Sequence, residues 1–332
     1  MTIDNPLAKY IFSSGLSLLI FARAGAGINR PVTPAPAEPV PVVLNTDIGD
    51  DIDDAWALVM LLKSPELDLR LITTTHGKAL YRAKLICRIL EIAGRTDVPV
   101  GLGAGGLEGT GGQEPWVAGY DLKGYPGKIS ADGTAALIDM VTTSSRPVTI
   151  ISIGPSTTVA AALERRPEIA ARAAFVGMQG AVRAGYDGGP IVPEYNVKEN
   201  VPAARAVLRA PWIKTLITPL DTCGLVRLTG DRFRRMAASG DGLVRALLEN
   251  YRIWARKSTL GELTASSVLF DSVAIYLAMP GDKPLLRLED LRIDVMPDGL
   301  TIIDPAGARM SVATAWTDLA GYEDFLVRVL LR

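Results

Sequence analysis

The acidic run from Asn45 to Asp54 is the part of this 332-residue sequence whose residue types most directly suggest chemistry. Its five carboxylates, all within eight positions, are Asp47, Asp50, Asp51, Asp53 and Asp54. Carboxylates this close repel one another, and burying them without a counter-charge would be costly. Because Ca²⁺ and Mg²⁺ prefer oxygen ligands, the run predicts a site for a hard cation. One or two acids could simply cap the helix that follows, but five exceed that need.

Other metal, phosphate and redox motifs are excluded. Counted from Asp47, an EF-hand loop would need glycine at its sixth position and an acid at its twelfth, where Ile52 and Leu58 stand. No glycine loop is followed by Gly-Lys-Ser/Thr, so a Walker A loop is absent. A single histidine, His76, rules out zinc sites that need two. The two cysteines form no CxxC pair, so no zinc site or disulfide framework is indicated.

The elements around the acidic run alternate between strand and helix. Apolar residues at 40–44 predict a buried strand, 53–62 a helix, 69–74 a second strand and 80–93 an amphipathic helix. This rhythm predicts an α/β fold: a single domain with a mostly parallel, open, Rossmann-like central sheet flanked by helices. The acids then fall at the carboxyl end of a parallel strand, where open α/β sheets bind ligands. The long irregular segment 102–130 is expected to be a binding loop.

The composition and the N-terminus limit the setting in which the protein works. Apolar residues make up 48%, charged residues 21%, and the net charge is −1, so neither nucleic acid nor an acidic membrane is an expected partner. Lys9, an apolar run over 10–21 and a small-x-small site at 22–24 predict a signal peptide over 1–24. A Pro/Ala-rich linker over 25–39 and a catalytic domain over 40–332 follow. The expected location is periplasmic or secreted, or cytoplasmic if the leader does not function; no membrane span is expected in the mature chain.

The acidic run resembles the signature Asp-Thr-Asp-x-Gly-x-Asp-Asp of the inosine-uridine-preferring nucleoside hydrolases, with a loop two residues longer. Further segments resemble the family in the same order. They are 72–77 (Ile-Thr-Thr-Thr-His-Gly), 153–158 (Ile-Gly-Pro-Ser-Thr-Thr), 176–180 (Val-Gly-Met-Gln-Gly), 193–196 (Pro-Glu-Tyr-Asn) and 269–274 (Leu-Phe-Asp-Ser-Val-Ala). The similarity covers roughly residues 40 to 332, and it rests on the order and spacing of the segments rather than on any one of them.

The resemblance implies calcium-dependent hydrolysis of the N-glycosidic bond of ribonucleosides or related ribosides, giving free sugar and base. The implied Ca²⁺ ligands are Asp47, Asp54, Asp271 and the backbone carbonyl of Thr157. Asp47 is also implied as the base that takes the proton from the attacking water. The expected substrate-binding residues are Asp51, Asp53, Lys78, Met178, Glu194, Tyr195, Asn196 and Asp271. Carboxylates would stabilise the positive charge that develops on the sugar. The two-residue insertion leaves open whether Asp51 or Asp53 binds the sugar hydroxyls.

Without the family match, several of these residues have ordinary structural explanations. Asp271 precedes an apolar helix and could be its N-cap, while Asn196 and Thr157 could be turn residues. Tyr195 could belong to the core, and His76 could be structural rather than catalytic. The sequence also leaves the state of oligomerisation open.

Four departures from the family pattern bear on the substrate. Asn45 stands for the first family Asp, Lys78 for an Asn and Phe270 for a His, and 122–124 (Leu-Lys-Gly) replaces a frequent His-Gly. Histidines that protonate a purine leaving group are therefore missing, which leaves Tyr120, Tyr186, Tyr195 or a stacking aromatic such as Trp116. Two other hypotheses follow: a calcium- and sugar-binding protein without turnover, and a hydrolase of an anionic glycoside whose charge Lys78 reads.

Overall fold

Short apolar runs form the strands of a ten-stranded central sheet. The computed structural model describes residues 38–332; the predicted signal peptide and all but the last two residues of the predicted linker lie outside them. The strands are β1 (Val40–Thr46), β2 (Leu67–Thr74), β3 (Val100–Gly101), β4 (Ile129–Ser130), β5 (Val148–Ser152), β6 (Ala173–Met178), β7 (Thr215–Thr218), β8 (Leu286–Val295), β9 (Thr301–Ile303) and β10 (Ala308–Trp316).

Helices cover both faces of this sheet. They are α1 (Asp53–Leu62), α2 (Ala79–Ile92), α3 (Gly133–Thr143), α4 (Thr157–Arg165), α5 (Tyr195–Lys198), α6 (Val201–Arg209), α7 (Leu220–Cys223), α8 (Gly230–Ala237), α9 (Gly242–Trp254), α10 (Ser272–Ala278) and α11 (Leu319–Leu330). Trp56 and Tyr322 are fully buried in the larger apolar cluster, and Phe175 stacks on Trp212 in the second one. Among residues 38–332, no helix has the length and apolarity to cross a membrane.

The strand order is β4-β3-β2-β1-β5-β6-β7-β10-β8-β9. Strands β1 to β7 are parallel to their neighbours, and β10 joins β7 in parallel. The chain runs outward from β1 in one direction through β2, β3 and β4, and in the other from β5 onward. This reversal makes a switch point between β1 and β5, and open α/β sheets bind ligands in the crevice at such a point. The predicted α/β fold with a mostly parallel sheet is confirmed.

The far end of the sheet is antiparallel, because β8 pairs with β10 and β9 with β8 in opposite directions. The two outermost strands are short: β4 has two residues and β9 has three. Each is also close to a turn, and Gly299 has the positive φ that the turn before β9 needs.

Helix α1 starts and ends where the sequence pattern predicts, at Asp53 and Leu62. The segment 102–130 is irregular as expected, but it contains two short 3-10 helices (Glu114–Val117 and Leu122–Gly124) and ends in β4. The apolar spacing over 231–279 predicts mainly helix, but an irregular stretch containing one 3-10 turn, Leu260–Glu262, separates α9 from α10. That stretch leads the chain to Asp271.

Candidate active site

A pocket of about 400 Å³ opens at the switch point of the sheet. Its wall is built from the β1–α1 loop, the ends of β5 and β6, the segment before α5, the end of α9 and the start of α10. The lining residues are Asp47, Asp50, Asp51, Asp53, Asp54, Ile153, Met178, Tyr186, Glu194, Tyr195, Asn196, Trp254, Phe270 and Asp271. Its volume suits a small ligand. Seven of these residues are acids, and none is Lys, Arg or His.

Asp53, Asp54 and Asp271 form the acidic centre of the pocket. Each offers a carboxylate oxygen within 4.8 Å of the others, and the three side chains are 3–4% exposed. Burial and then the neighbouring carboxylates raise the pKa of all three well above the ordinary value. Within residues 38–332 none of them forms an ion pair with a basic side chain. Three buried oxygen donors that repel one another fit a divalent hard cation.

Asp47 lies at the end of β1 beside this centre and lines the same pocket. Burial raises its pKa to about 7, although the charge of Arg82 opposes the rise. Gly154 approaches Asp47 so closely that a Cβ on Gly154 would lie 2.4 Å from Asp47 Oδ1. The glycine after β5 is therefore required for Asp47 to occupy its place.

Arg82 on α2 holds the acidic loop in place from behind. Its guanidinium is completely buried and donates five hydrogen bonds. The acceptors are the backbone carbonyls of Asp47, Ile48, His76 and Gly77 and the Asp50 carboxylate. The planar fork of arginine suits several acceptors at once. The sequence pattern gives no sign of this role, because one Arg in an amphipathic helix normally faces solvent.

The turn between β2 and α2 is the second part held by Arg82. His76, Gly77 and Lys78 follow one another with φ of 57°, 73° and 53°, the left-handed region that non-glycine residues avoid. Lys78 does not line the pocket; its ammonium lies 2.5 Å from Asp50 Oδ1. Burial alone would raise the pKa of Asp50, but the hydrogen bond from Lys78 and the nearby Arg82 charge lower it. Lys78 is thus paired with one of the surplus acids.

Glu194 caps the short helix α5 and is almost fully buried. It accepts hydrogen bonds from the backbone N–H groups of Gly180 (2.8 Å), Asn196 (2.7 Å) and Val197 (3.3 Å). Burial raises its pKa to about 7 despite these bonds. Asn196 in turn donates to the Met178 carbonyl at 3.1 Å. Three of the predicted substrate-binding residues, Met178, Glu194 and Asn196, thus line the pocket together.

Three other predicted residues lie as follows. Asp51 lines the pocket outside α1, and its Oδ1 accepts from the Ile52 N–H at 2.7 Å. Asp53, predicted to bind the sugar, belongs to the acidic centre, and its Oδ2 accepts from the Asp271 N–H at 3.3 Å. Thr157, predicted to bind the metal through its carbonyl, is the first residue of α4 and is not part of the pocket lining.

Aromatic side chains form much of the remaining wall. Tyr186 meets Phe270 edge to face with ring centroids 5.9 Å apart, and Tyr195, the residue after Glu194, also lines the pocket. Trp254, at the end of α9, also lines the pocket, which the sequence pattern does not predict. Its indole N–H donates to the Asp50 carbonyl at 2.9 Å, and its ring stacks on Tyr251. Burial raises the pKa of both Tyr186 and Tyr195 to about 12.

Two aromatic residues considered for leaving-group activation lie elsewhere. Trp116 is buried beneath the guanidinium of Arg88, 4.4 Å from its ring centroid, and Tyr120 donates to Glu91. Neither lines the pocket. His76 is not part of the lining either; it lies edge-on to Tyr195 and 3.5 Å from Glu199.

Asn45 is a buried link between three strands. Its amide donates to Ser152 Oγ at 3.0 Å on β5 and accepts from Thr73 Oγ1 at 3.1 Å on β2. The Asn45 amide therefore uses both its donor and its acceptor in the buried link.

Comparison with known proteins agrees with this geometry. The sequence model described as inosine-uridine preferring nucleoside hydrolase matches residues 42–320. The pyrimidine-specific ribonucleoside hydrolase RihA of Escherichia coli is 29% identical over 221 residues, covering 61% of this chain and 67% of that protein. The plant nucleoside hydrolase PpNRh1 superposes with a TM-score of 0.72 at 23% identity, covering 88% of this chain and 98% of that one. The inosine-uridine preferring nucleoside hydrolase of Bacillus anthracis superposes with a TM-score of 0.71 at 18% identity, covering 88% and 99%.

The matched region and its relatives define an N-glycosyl hydrolase. The chain belongs to the inosine-uridine preferring nucleoside hydrolase family, which is metal-dependent and hydrolyses the N-glycosidic bond of ribonucleosides. The family resemblance seen in the motifs is thereby confirmed.

Proposed function

We propose that this protein is a calcium-dependent ribonucleoside hydrolase in which Asp47 accepts a proton from the attacking water. The main support for the proposal is that Asp53, Asp54 and Asp271 lie together in one buried acidic centre. Asp271 is 218 residues beyond Asp53 in the sequence. Three carboxylates from the two ends of a domain are costly to gather without a cation. Their position at the switch point of the sheet suits a ligand site.

Calcium suits the donors present, because the acidic centre offers oxygen atoms and neither sulfur nor imidazole. The proposed ligands are Asp47, Asp54 and Asp271, with Asp53 beside them in the acidic centre; Thr157 lies outside the pocket lining, so its carbonyl is not proposed as a ligand. When bound, calcium supplies positive charge that neutralises these carboxylates and makes a nearby water more acidic. Magnesium is the rival ion, since it uses the same kind of ligand.

The protein's own residues orient the sugar and stabilise its developing charge. Glu194 is fixed by its three backbone hydrogen bonds, and Asn196 is held by the Met178 carbonyl, so both present defined positions to the ribose. The surrounding carboxylates favour the oxocarbenium-like transition state electrostatically. Asp47 needs to be ionised to accept a proton; burial raises its pKa, and a bound cation would favour the ionised form.

The test uses the full chain, freed of metal and then supplied with Ca²⁺ or Mg²⁺, against a panel of ribonucleosides. Free ribose is measured as reducing sugar, and cation binding is measured separately by calorimetry. Asp47→Ala should lose turnover by a factor of about 10² or more, and Asp271→Asn should weaken cation binding. Asp139→Asn, an exposed acid on α3, is the matched control and should change neither.

Each outcome is informative. Ribose release that needs Ca²⁺ and is lost in Asp47→Ala would support the proposal. Cation binding with no turnover of any riboside would instead support the calcium- and sugar-binding protein. Equal activity with and without chelator would contradict the metal requirement.

The predicted leader supports export, although residues 1–24 lie outside the described part of the chain. We propose a periplasmic or secreted enzyme. When the full chain is expressed in a bacterium with two membranes, mass spectrometry should find a mature N-terminus near residue 25 in the periplasmic fraction. An intact Met1 in the cytoplasmic fraction would contradict export.

A further inference from the structure

The pocket is poor in basic groups and rich in acidic ones. Its lining contains seven acids and no Lys, Arg or His. The nearest basic side chains, Lys78 and Arg82, are both paired with Asp50. The Asp51 carboxylate has no basic partner within residues 38–332; its one hydrogen bond comes from the Ile52 N–H. An anionic base would therefore enter a repulsive pocket, which argues against the anionic glycoside considered from Lys78.

The aromatic wall offers ring faces and edges in fixed positions. Trp254 is held by its hydrogen bond to the Asp50 carbonyl and by stacking on Tyr251 at 5.9 Å. Phe270 is held against Tyr186. The electron-rich face of an aromatic ring attracts cations, and Trp does so best. Rigid aromatic groups that line the same pocket as Asp51 suit a flat, positively charged ring.

The pocket lining also contains no histidine to protonate the leaving group, and both oxygens of Glu194, the carboxyl with a pKa of about 7, already accept backbone hydrogen bonds. The only aromatic hydroxyls of the lining belong to Tyr186 and Tyr195, whose raised pKa makes them weak proton donors. His76 is not part of the lining; its ring meets Tyr195 edge to face, and its Nε2 lies 3.5 Å from a Glu199 carboxylate oxygen. A neutral purine or pyrimidine leaves as an anion unless it is protonated, and general acid catalysis typically contributes about 10²–10⁴-fold. A base that is already positively charged needs no proton to leave.

We propose that this enzyme prefers ribonucleosides whose base carries a permanent positive charge, such as N-ribosylpyridinium compounds and N-alkylated purine nucleosides. The inference rests on the proposed hydrolase function and specifies its substrate class. Water oxygen bonds to C1′, the C1′–N bond breaks, and its electron pair moves to the ring nitrogen, which becomes neutral. The proton of the water goes to Asp47, and the products are ribose and a neutral base.

The experiment compares four kinds of riboside with the full chain and Ca²⁺. The first is an N-ribosylpyridinium cation with a 3-carboxamide group, and the second is its twin with a 3-carboxylate. Inosine and uridine are neutral and need leaving-group protonation, while p-nitrophenyl riboside is neutral but leaves easily. The carboxamide cation should exceed inosine and uridine in kcat/KM by about 10²-fold or more. It should exceed its carboxylate twin by about tenfold, because the added negative charge meets Asp51.

The outcomes separate this inference from the proposed function. Turnover of p-nitrophenyl riboside without preference for the carboxamide cation would overturn the inference and leave the hydrolase standing. No turnover of any riboside would overturn the hydrolase itself. Equal kcat/KM for the carboxamide and carboxylate twins would show that leaving-group quality, rather than charge, governs the choice, and would also overturn the inference.

Two variants test the residues that recognise the charge. Asp51→Asn and Trp254→Leu should each lower the ratio of kcat/KM between the carboxamide cation and p-nitrophenyl riboside by about tenfold, mainly through a higher KM for the cation. Asp139→Asn on the distant face of α3 is again the control, and its ratio should match the wild type. If both pocket variants keep the wild-type ratio, charge recognition by this wall is refuted, whichever substrate is fastest.

Discussion

Arg82 is expected to be the residue on which the geometry of the acidic loop depends most. Arg82→Met removes all five hydrogen bonds and the positive charge while keeping most of the side-chain volume. The carbonyls of Asp47, Ile48, His76 and Gly77 then lose a buried donor, and Asp50 keeps only Lys78. Breaking a buried, hydrogen-bonded charge pair costs about 3–5 kcal/mol of unfolding free energy, and the melting temperature should fall by roughly 6–20 °C.

The loss should also reach the chemistry, because Arg82 binds the carbonyl of Asp47 itself. A shift of the loop by about 1 Å is enough to lower turnover about 10²-fold. Arg82→Lys should be intermediate, since an ammonium with three donors cannot reach five acceptors spread over two loops. Urea unfolding gives the stability, calorimetry the cation affinity, and ribose release the turnover.

Arg95→Lys supplies the matched control, because Arg95 pairs with Asp97 at the surface, where such pairs contribute about 0–1 kcal/mol. All three readouts should stay near wild type in this variant. If Arg82→Met resembles Arg95→Lys in stability, cation affinity and turnover, then Arg82 does not hold the loop and the reasoning fails.

Three further outcomes are expected. Burial raises the pKa of Glu194 from 4.5 to about 7, so between these pH values the native state keeps a proton that the unfolded chain loses. The free energy of unfolding of the wild type, measured relative to Glu194→Gln, should therefore fall from about pH 4.5 to about pH 7 and level off above it. A rise over that range in urea titrations would contradict the assignment. Gly154→Ala should fold but lose turnover, since its Cβ would displace Asp47; undiminished ribose release would refute the close contact. Asn45→Asp restores the residue of the family pattern, but it should destabilise the fold by about 1–3 kcal/mol, because it removes the donor to Ser152 and buries a charge. An unchanged midpoint of urea unfolding would count against this.

The sequence predicts the position of a residue where a local pattern of apolar and acidic residues also determines where a strand or helix begins and ends. The apolar run of β1 followed directly by acids fixes both a buried strand and the point at which it ends, so the place of Asp47 and the start of α1 at Asp53 could be predicted. Asp271 could be assigned to the same site only through the family resemblance, since nothing in its neighbourhood points to residues more than 200 positions earlier.

The parts that could not be predicted depend on tertiary packing. Trp254 ends an amphipathic helix, where an aromatic residue normally belongs to the core, and only the docking of α9 brings its indole N–H to the Asp50 carbonyl. Arg82 is likewise indistinguishable from a solvated helical arginine until four carbonyls converge on it. Lys78 was expected to bind the substrate, and only the structure shows that its ammonium pairs with Asp50.

The short outer strands of the sheet have a consequence for how copies of this domain could meet. An exposed strand edge is a template for pairing with another chain, and its strength grows with the number of free backbone groups. The terminal strand β9 has three residues and pairs only with Ile293–Val295, so residues 286–291 of β8 have no strand partner on their outer side within residues 38–332. This segment is the longer free edge at the antiparallel end of the sheet. Its charged side chains, Arg287, Glu289 and Asp290, work against pairing with a strand of another copy, because charge on an edge strand opposes edge-to-edge association.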